Sequence, residues 1–327
     1  MPVYVGLDVH KRTCHATVVD EQGKILVQEK FKNEPRELER FFKGIDDAKV
    51  AMEASYCWQP TYELLESMGY EVKLAHPKRT RAVAEAKIKT DAKDSEVLAY
   101  LLELDWLPTA YVPVQDIRDL RELVRLRTCL VQEQTRFNNK VRAELAKHGV
   151  QVSRNPFSRR GREELGRLNV RTVNDCLEVL ETLAQRIREL ERELRSKAGE
   201  SREAELLMSI PGVGYFSALA ILAEIGDINR FPNPEKLCAY AGIVPSVEQS
   251  ENTRRLDGTT KEGSALLRWV LIQCAWMHLY HTEDTRLTRF FWKVSRRKGR
   301  KVAIVAMARK MLVAIYWMLR RGERFRA

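Results

Sequence analysis

Near Ile117 the hydrophobic period of this chain changes, and that change limits the folds open to it. Upstream, five short runs, "VYVGLDV", "TCHATVVD", "GKILVQEKF", "AKVAME" and "YEVKLA", have the length and composition of strands. The first three follow one another across polar or glycine breaks, as the strands of a meander do. Helical patterns lie near 34–42 and 62–68, and a third begins in "KTDAKDSEVLAYLL". Three strands, helix, strand, helix, strand, helix is the order of an α/β domain with a mixed sheet. Downstream of Ile117 helical spacing takes over. Leu180, Leu183, Ile187, Leu190 and Leu194 recur at intervals of 3-4-3-4, the seam of a coiled coil. The arm before it, 120–148, is looser and is interrupted by Gln134 and Asn138, and Pro156 and Gly161 lie between the two. Either an antiparallel helical hairpin or a dimerising stalk satisfies this pattern. From Glu203 a third region opens with "SIPGVGYFSALAILAEIG", which has the form of a helix–hairpin–helix, and continues into helices near 264–280, 285–298 and 301–321. The expected fold is therefore α/β plus all-α, with domains at 1–112, 113–200 and 201–327.

Charge narrows the class of partner. The chain has 327 residues and a net charge of +11, yet the excess is local. Fourteen of the 56 Lys and Arg, but only one of the 45 acids (Glu323), lie from Arg286 onward. A concentrated basic segment favours a polyanionic partner, a nucleic acid or an anionic membrane. Arg296, Arg297, Lys298, Arg300 and Lys301 are its densest part. The six cysteines are scattered with no C-x-x-C pair, which points to reduced thiols in a cytoplasmic protein and against a disulfide frame or a zinc site. The longest apolar stretch, 302–319, is broken by Arg309 and Lys310, which argues against a membrane span.

Several acids stand in apolar surroundings. Asp8 lies inside the first strand among Val3, Val5, Leu7 and Val9, and Glu53 ends the fourth after "VAM". Asp91 and Asp94, three apart, prolong toward the helix start the face that carries Val97, Leu98, Leu101 and Leu102. An acid inside an apolar element is costly unless paired or bound to a cation. Four that converge would repel one another and ionise together only around a divalent ion. Oxygen donors alone suit Mg²⁺ or Mn²⁺. Two such ions would stabilise the attacking and leaving oxygens of a phosphodiester. Asp116 and Asp119 show that the spacing alone means little. They have no strand acid beside them, are followed by Arg118, Arg121 and Arg125, and read as solvated charges at a helix start.

Two further positions admit both a structural and a functional reading. Gly212 and Gly214 allow a tight turn whose amides can hold a phosphate, although many such hairpins are only structural turns. Ser264, after Gly263 in "TTKEGSALLRWVL", stands where a serine commonly caps a helix, and Thr259 with Glu262 offers an alternative capping box. Lys261 and Arg268 flank it and would stabilise charge at a phosphate, whereas His278 and His281 read as ordinary surface or core residues.

The order Asp, Glu, Asp-x-x-Asp on this strand pattern resembles the RuvC-like branch of the ribonuclease H fold. The resemblance runs through the whole chain. "YVGLDVHK", "AMEAS", "KTDAKDSEVLA", "IPGVGYFSALAILAEIGD", "LCAYAGIVP", "LDGTTKEGSALLRWVL" and "AMARKMLVAIYWMLRRG" together resemble the DEDD-type insertion-sequence transposases, which are related to Piv-like DNA invertases. It implies a RuvC-like domain, a coiled coil and a C-terminal transposase domain. It also implies a recombinase guided by a structured bridge RNA, with Asp8, Glu53, Asp91 and Asp94 on the metal and Ser264 as the nucleophile that joins DNA covalently. The partners expected are DNA, a structured guide RNA and further copies of the chain, as a dimer or tetramer. The competing expectation is a RuvC-like metal-dependent junction nuclease in which Ser264 is only structural.

Overall fold

A computed structural model describes residues 2–84, 91–151, 155–168, 170–250, 253–260 and 262–326. The chain forms two compact units, Met1–Val112 and Pro113–Ala327.

The first unit is α/β. Its elements run β1 (Val3–Val9), β2 (Thr13–Val19), β3 (Ile25–Lys32), α1 (Pro35–Phe42), β4 (Ala48–Glu53), α2 (Trp58–Ser67), β5 (Glu71–Ala75), α3 (Pro77–Ala84) and α4 (Asp91–Glu103). The five strands make one sheet in the order β3-β2-β1-β4-β5. The meander β1–β3 is antiparallel, and β4 and β5 join β1 in parallel. This mixed sheet is consistent with a ribonuclease H-like fold. Side chains alternate across a strand, so the two faces of β1 have different fates. Val5, Leu7 and Val9 join Val50, Met52, Leu38, Phe42 and Leu65 in the main core. Tyr4, Gly6 and Asp8 face the other way, toward α4. That face has a small core of Ala51, Ala75, Leu98 and Leu102. Gly6 is what lets α4 settle there, since a Cβ at Gly6 would stand 2.0 Å from the Ser95 carbonyl oxygen. A buried hydrogen bond of 2.8 Å between Ser95 and Thr17 fixes the same contact.

The second unit is mainly helical. It runs α5 (Gln115–Lys147), α6 (Arg159–Arg167), α7 (Arg171–Glu200), α8 (Arg202–Met208), α9 (Tyr215–Ile225), α10 (Pro234–Tyr240), β6 (Pro245–Ser250), β7 (Thr253–Thr259), α11 (Ala265–His281), α12 (Arg286–Lys298) and α13 (Arg300–Arg321). Helices α5 and α7 pack as an antiparallel hairpin. At one end Val141 and Leu145 meet Val173, Cys176 and Leu180. Toward the other, Arg127 bonds Glu191 at 2.6 Å, and Val124, Leu194 and Ala198 enter the core of the helices that follow. Of the expected seam, Leu180, Ile187 and Leu194 are buried. Helix α13 is long and apolar enough to cross a membrane. Met307, Met311, Leu312, Ile315 and Tyr316 are instead buried in the same core as α9 and α11. The antiparallel hairpin of β6 and β7 has no counterpart in the sequence reading, because its strands are mostly polar and lack apolar alternation.

Candidate active site

The acids of the first unit gather on the α4 face of the sheet. Asp8 is 6% exposed. Its cross-strand partner on β2 is His15, on the same face. Glu53 ends the adjoining β4, and Asp91 and Asp94 open α4, which lies on β1 at Gly6. Asp91 precedes the buried Ser95, Leu98 and Leu102 along one helical line, so the acid face and the packed face are continuous. Burial pushes the Asp8 carboxyl above its usual range. His10 opposes the shift, and the charges of Asp91, Asp94 and Glu53 add to it. All four acids are therefore electrostatic neighbours.

Two histidines complete the cluster. His10 Nε2 lies 3.2 Å from Asp8 Oδ2 and 3.4 Å from Asp91 Oδ1, and His15 Nε2 lies 3.5 Å from Asp91 Oδ2. Ligand atoms from Asp8, His10 and Asp91 all fall within 4.8 Å of one another. Asp8 Oδ2 and His15 Nε2 are buried without a well-formed hydrogen bond. Buried polar atoms normally have partners. Orphaned atoms beside crowded carboxylates are the donor arrangement that a divalent cation satisfies.

Ser264 belongs to the second unit. It caps α11, with Oγ accepting the Leu267 N–H at 3.1 Å. The same hydroxyl donates to Glu224 Oε2 at 2.8 Å. Glu224 is 2% exposed near the end of α9, and its other oxygen receives Arg125 at 2.9 Å. The approach to Ser264 depends on Gly263. Its φ is +102°, and a Cβ there would stand 2.0 Å from the Tyr240 carbonyl oxygen, the atom that accepts the Ser264 N–H at 3.0 Å.

Comparison with known proteins identifies these two segments. Residues 5–149 match the IS110 DEDD transposase model, described as "Transposase", and residues 204–290 match a model for "Transposase IS116/IS110/IS902 family". In both segments the chain is similar to the IS110/IS116 family of DEDD transposases. It is 27% identical, over 98% of its length and 91% of the relative's, to the transposase for insertion sequence element IS1111A of Coxiella burnetii. It is 25% identical to the transposase for element IS1328 of Yersinia enterocolitica, over 96% of both chains. A probable family 20 transposase of Pseudomonas aeruginosa is 27% identical over 98% of both. The acids and histidines fall in the first matched segment, and Glu224 and Ser264 in the second.

The other expected site residues are placed as follows. Arg296, Arg297, Lys298, Arg300 and Lys301 are all exposed around Gly299, where α12 turns into α13. The Arg300 guanidinium lies 5.9 Å from the ring centres of Trp276 and Trp292. Arg268 is one turn beyond Ser264 and donates to the Ala241 carbonyl oxygen at 3.2 Å. Lys261 lies outside the described residues. Gly212 sits against the α11 backbone, where a Cβ would stand 2.4 Å from the His278 nitrogen, while Gly214 at the start of α9 borders open space. His278 is fully buried between the Pro211 carbonyl oxygen and Thr285, a structural position, and burial pushes its imidazole below the usual value. Asp116 and Asp119 are exposed in the first turns of α5.

Sequence reasoning passed over His10, His15, Glu224 and Arg125. A signal existed for the first three. His10 follows Asp8 by two and His15 pairs with it across the hairpin. Glu224 is a lone charge in the apolar run "SALAILAEIG".

Proposed function

We propose that this transposase is a site-specific DNA recombinase that breaks and rejoins strands with two half-sites. Asp8, Glu53, Asp91 and Asp94 hold Mg²⁺ or Mn²⁺, and Ser264 attacks a DNA phosphodiester. The observation that carries this reading is the crowding of three further acids around the buried Asp8. Without a cation such a group is self-repelling, and no apolar role explains it. His10 adds a nitrogen donor to the oxygen set, which Mn²⁺ tolerates better than Mg²⁺. When bound, the ion supplies Lewis-acid stabilisation of charge at the phosphate.

The rest is chemistry of the chain itself. Ser264 Oγ forms a bond to phosphorus, giving a phosphoserine and a free 3′-hydroxyl, and strand exchange follows. The exposed cations around Gly299 bind phosphates of the DNA and of a structured guide RNA, while the guide selects the sequence. The protein works as a homo-oligomer, a dimer or tetramer, in the cytoplasm. Capping of α11 by Ser264 is compatible with attack, because the cap uses an oxygen lone pair and leaves the hydroxyl hydrogen to Glu224.

The test is covalent capture. The protein is expressed with a plasmid carrying the genomic DNA that flanks its gene on both sides, which also supplies any guide RNA encoded there. After denaturation, DNA bound to protein is measured and the adduct peptide sequenced by mass spectrometry. An adduct at Ser264 that disappears in Ser264→Ala is expected, at a stability cost of about 1 kcal/mol for the lost cap. Recombination by Ser264→Ala, or an adduct elsewhere, would leave the junction nuclease with a structural Ser264 as the better reading.

A further inference from the structure

A serine hydroxyl is a weak nucleophile and needs a group to take its proton. Among the described residues, the one carboxylate hydrogen-bonded to Ser264 is Glu224. Glu224 is the one charged residue of its helix, with Ala220, Ile221, Ala223 and Ile225 around it. Its two oxygens are divided between different tasks. Oε1 receives Arg125 twice, from Nε at 3.0 Å and from a terminal nitrogen at 2.9 Å. Oε2 faces the Ser264 hydroxyl at 2.8 Å. Arg121 braces the backbone beneath, donating to the carbonyl oxygens of Ala223 and Glu224. Leu267 N–H occupies a lone pair of Oγ, which directs the hydroxyl hydrogen to Oε2. Nucleophile, base and a third group that orients the base are thus in contact, as activated nucleophiles require.

We infer that Glu224 is the general base of Ser264 and that Arg125 positions it. The inference rests on Ser264 being the nucleophile. As the Oγ–P bond forms, the hydroxyl proton passes to Glu224 Oε2. The P–O3′ bond breaks, its electron pair stays on O3′, and O3′ takes a proton from water, leaving a hydroxide in solvent. In the rejoining step the 3′-hydroxyl gives its proton to solvent hydroxide and attacks the phosphoserine phosphorus, the Oγ–P bond breaks, and protonated Glu224 returns its proton to Oγ. Because Ser264 is the cap of α11, a phosphate on Oγ lies at the helix start, where backbone N–H groups favour negative charge. Arg125 holds the Glu224 side chain in place through both steps. A purely structural ion pair between α5 and α9 would need neither the serine contact nor the free oxygen.

Glu224→Gln keeps the shape and an acceptor for Ser264 but removes basicity. In the capture experiment above it should lower the Ser264–DNA adduct about 100-fold while the protein still binds plasmid DNA. A fluorophosphonate, which phosphorylates activated serines, gives a reading without DNA. Wild-type Ser264 should label about 100-fold faster than in Glu224→Gln. A base effect and a structural effect separate in the Ser264→Cys background, where the thiol ionises by itself. There Glu224→Gln should change iodoacetamide alkylation by less than about threefold, whereas a distorted site would lose both reactions together. If Glu224→Gln unfolds, Glu224→Asp decides, since it keeps the charge opposite Arg125 and withdraws the oxygen by one methylene; a loss of about tenfold is expected. Equal labelling of wild type and variant, or an undiminished Ser264 adduct, overturns the base. A DNA adduct that persists in Ser264→Ala overturns the Ser264 reading itself, whatever Glu224→Gln does.

Discussion

Asp8→Asn should stabilise the metal-free protein and at the same time abolish its response to a divalent cation. The Asp8, His10 and Asp91 ligand atoms lie within 4.8 Å of one another. Two carboxylate charges at that separation repel by about 3.5 kcal/mol at an effective dielectric of about 20. The Asp91 side chain is about half exposed and His10 offsets part of the repulsion, so about 1–2 kcal/mol remains to be relieved. For a unit of this size that is a rise of roughly 4–8 °C in melting temperature per kcal/mol. The pH dependence has a definite sign. The Asp8 carboxyl is raised in the folded state by burial and by the neighbouring acids. The native protein therefore binds more protons than the unfolded chain from the ordinary Asp range up through the raised value. Wild-type stability without metal falls as pH rises across that window, and Asp8→Asn flattens the fall. With cation at about 100 times its dissociation constant, the wild type should recover about 2.7 kcal/mol, and the variant almost none. Thermal melts of the full chain in EDTA and across a Mn²⁺ series, from acid to neutral pH, read all three effects. An Asp8→Asn protein that is less stable than wild type in EDTA, or that keeps the full Mn²⁺ shift, would refute the metal-site argument.

Gly263→Ala should lose the Ser264 adduct, because its Cβ meets the Tyr240 carbonyl oxygen and its φ is positive; the stability cost is about 1–3 kcal/mol, read by a thermal melt beside the capture assay. A variant with wild-type adduct yield would show that the turn does not set the position of Ser264. Neutralising Arg296, Arg297 and Lys298 should reduce the slope of log K against log salt by about 0.7–0.9 for each phosphate that the variant no longer neutralises, with little change in sequence preference. An unchanged slope would remove the corner around Gly299 from the nucleic-acid interface.

Much of the first unit is legible in the sequence because strand alternation carries information about both faces. "VYVGLDV" places Val5, Leu7 and Val9 on one side and Gly6 with Asp8 on the other, and the sheet uses it that way. The helix carrying Asp91 and Asp94 is legible for the same reason, although its buried line runs through Ser95 rather than the half-buried Val97. What the sequence hides are partnerships over long separations. Thr17 finds Ser95, Arg125 finds Glu224, and Glu224 finds Ser264 forty residues later. No local period encodes them. The polar hairpin of β6 and β7 is hidden differently, since its strands carry no apolar alternation to register.

The two half-sites differ in how their buried charge is compensated, and this difference divides their roles. Glu224 is as buried as Asp8, yet Arg125 neutralises it from within the same unit, and Arg121 closes the backbone around it. Burial pushes the Arg121 guanidinium below its usual value, which marks how dry that corner is. The buried charge beside Ser264 is thus compensated by side chains of its own unit. Among the described residues no Arg or Lys is paired with Asp8. His10, half exposed, lies 3.2 Å from it, and three acids crowd it from β4 and α4. Positive charge brought from outside the chain would stabilise such a cluster. On the proposed recombinase reading, one unit would then carry a nucleophile poised at all times, and the other an acid cluster that becomes competent only with a cation. That division would let the serine be charged with DNA in one step and discharged in the next.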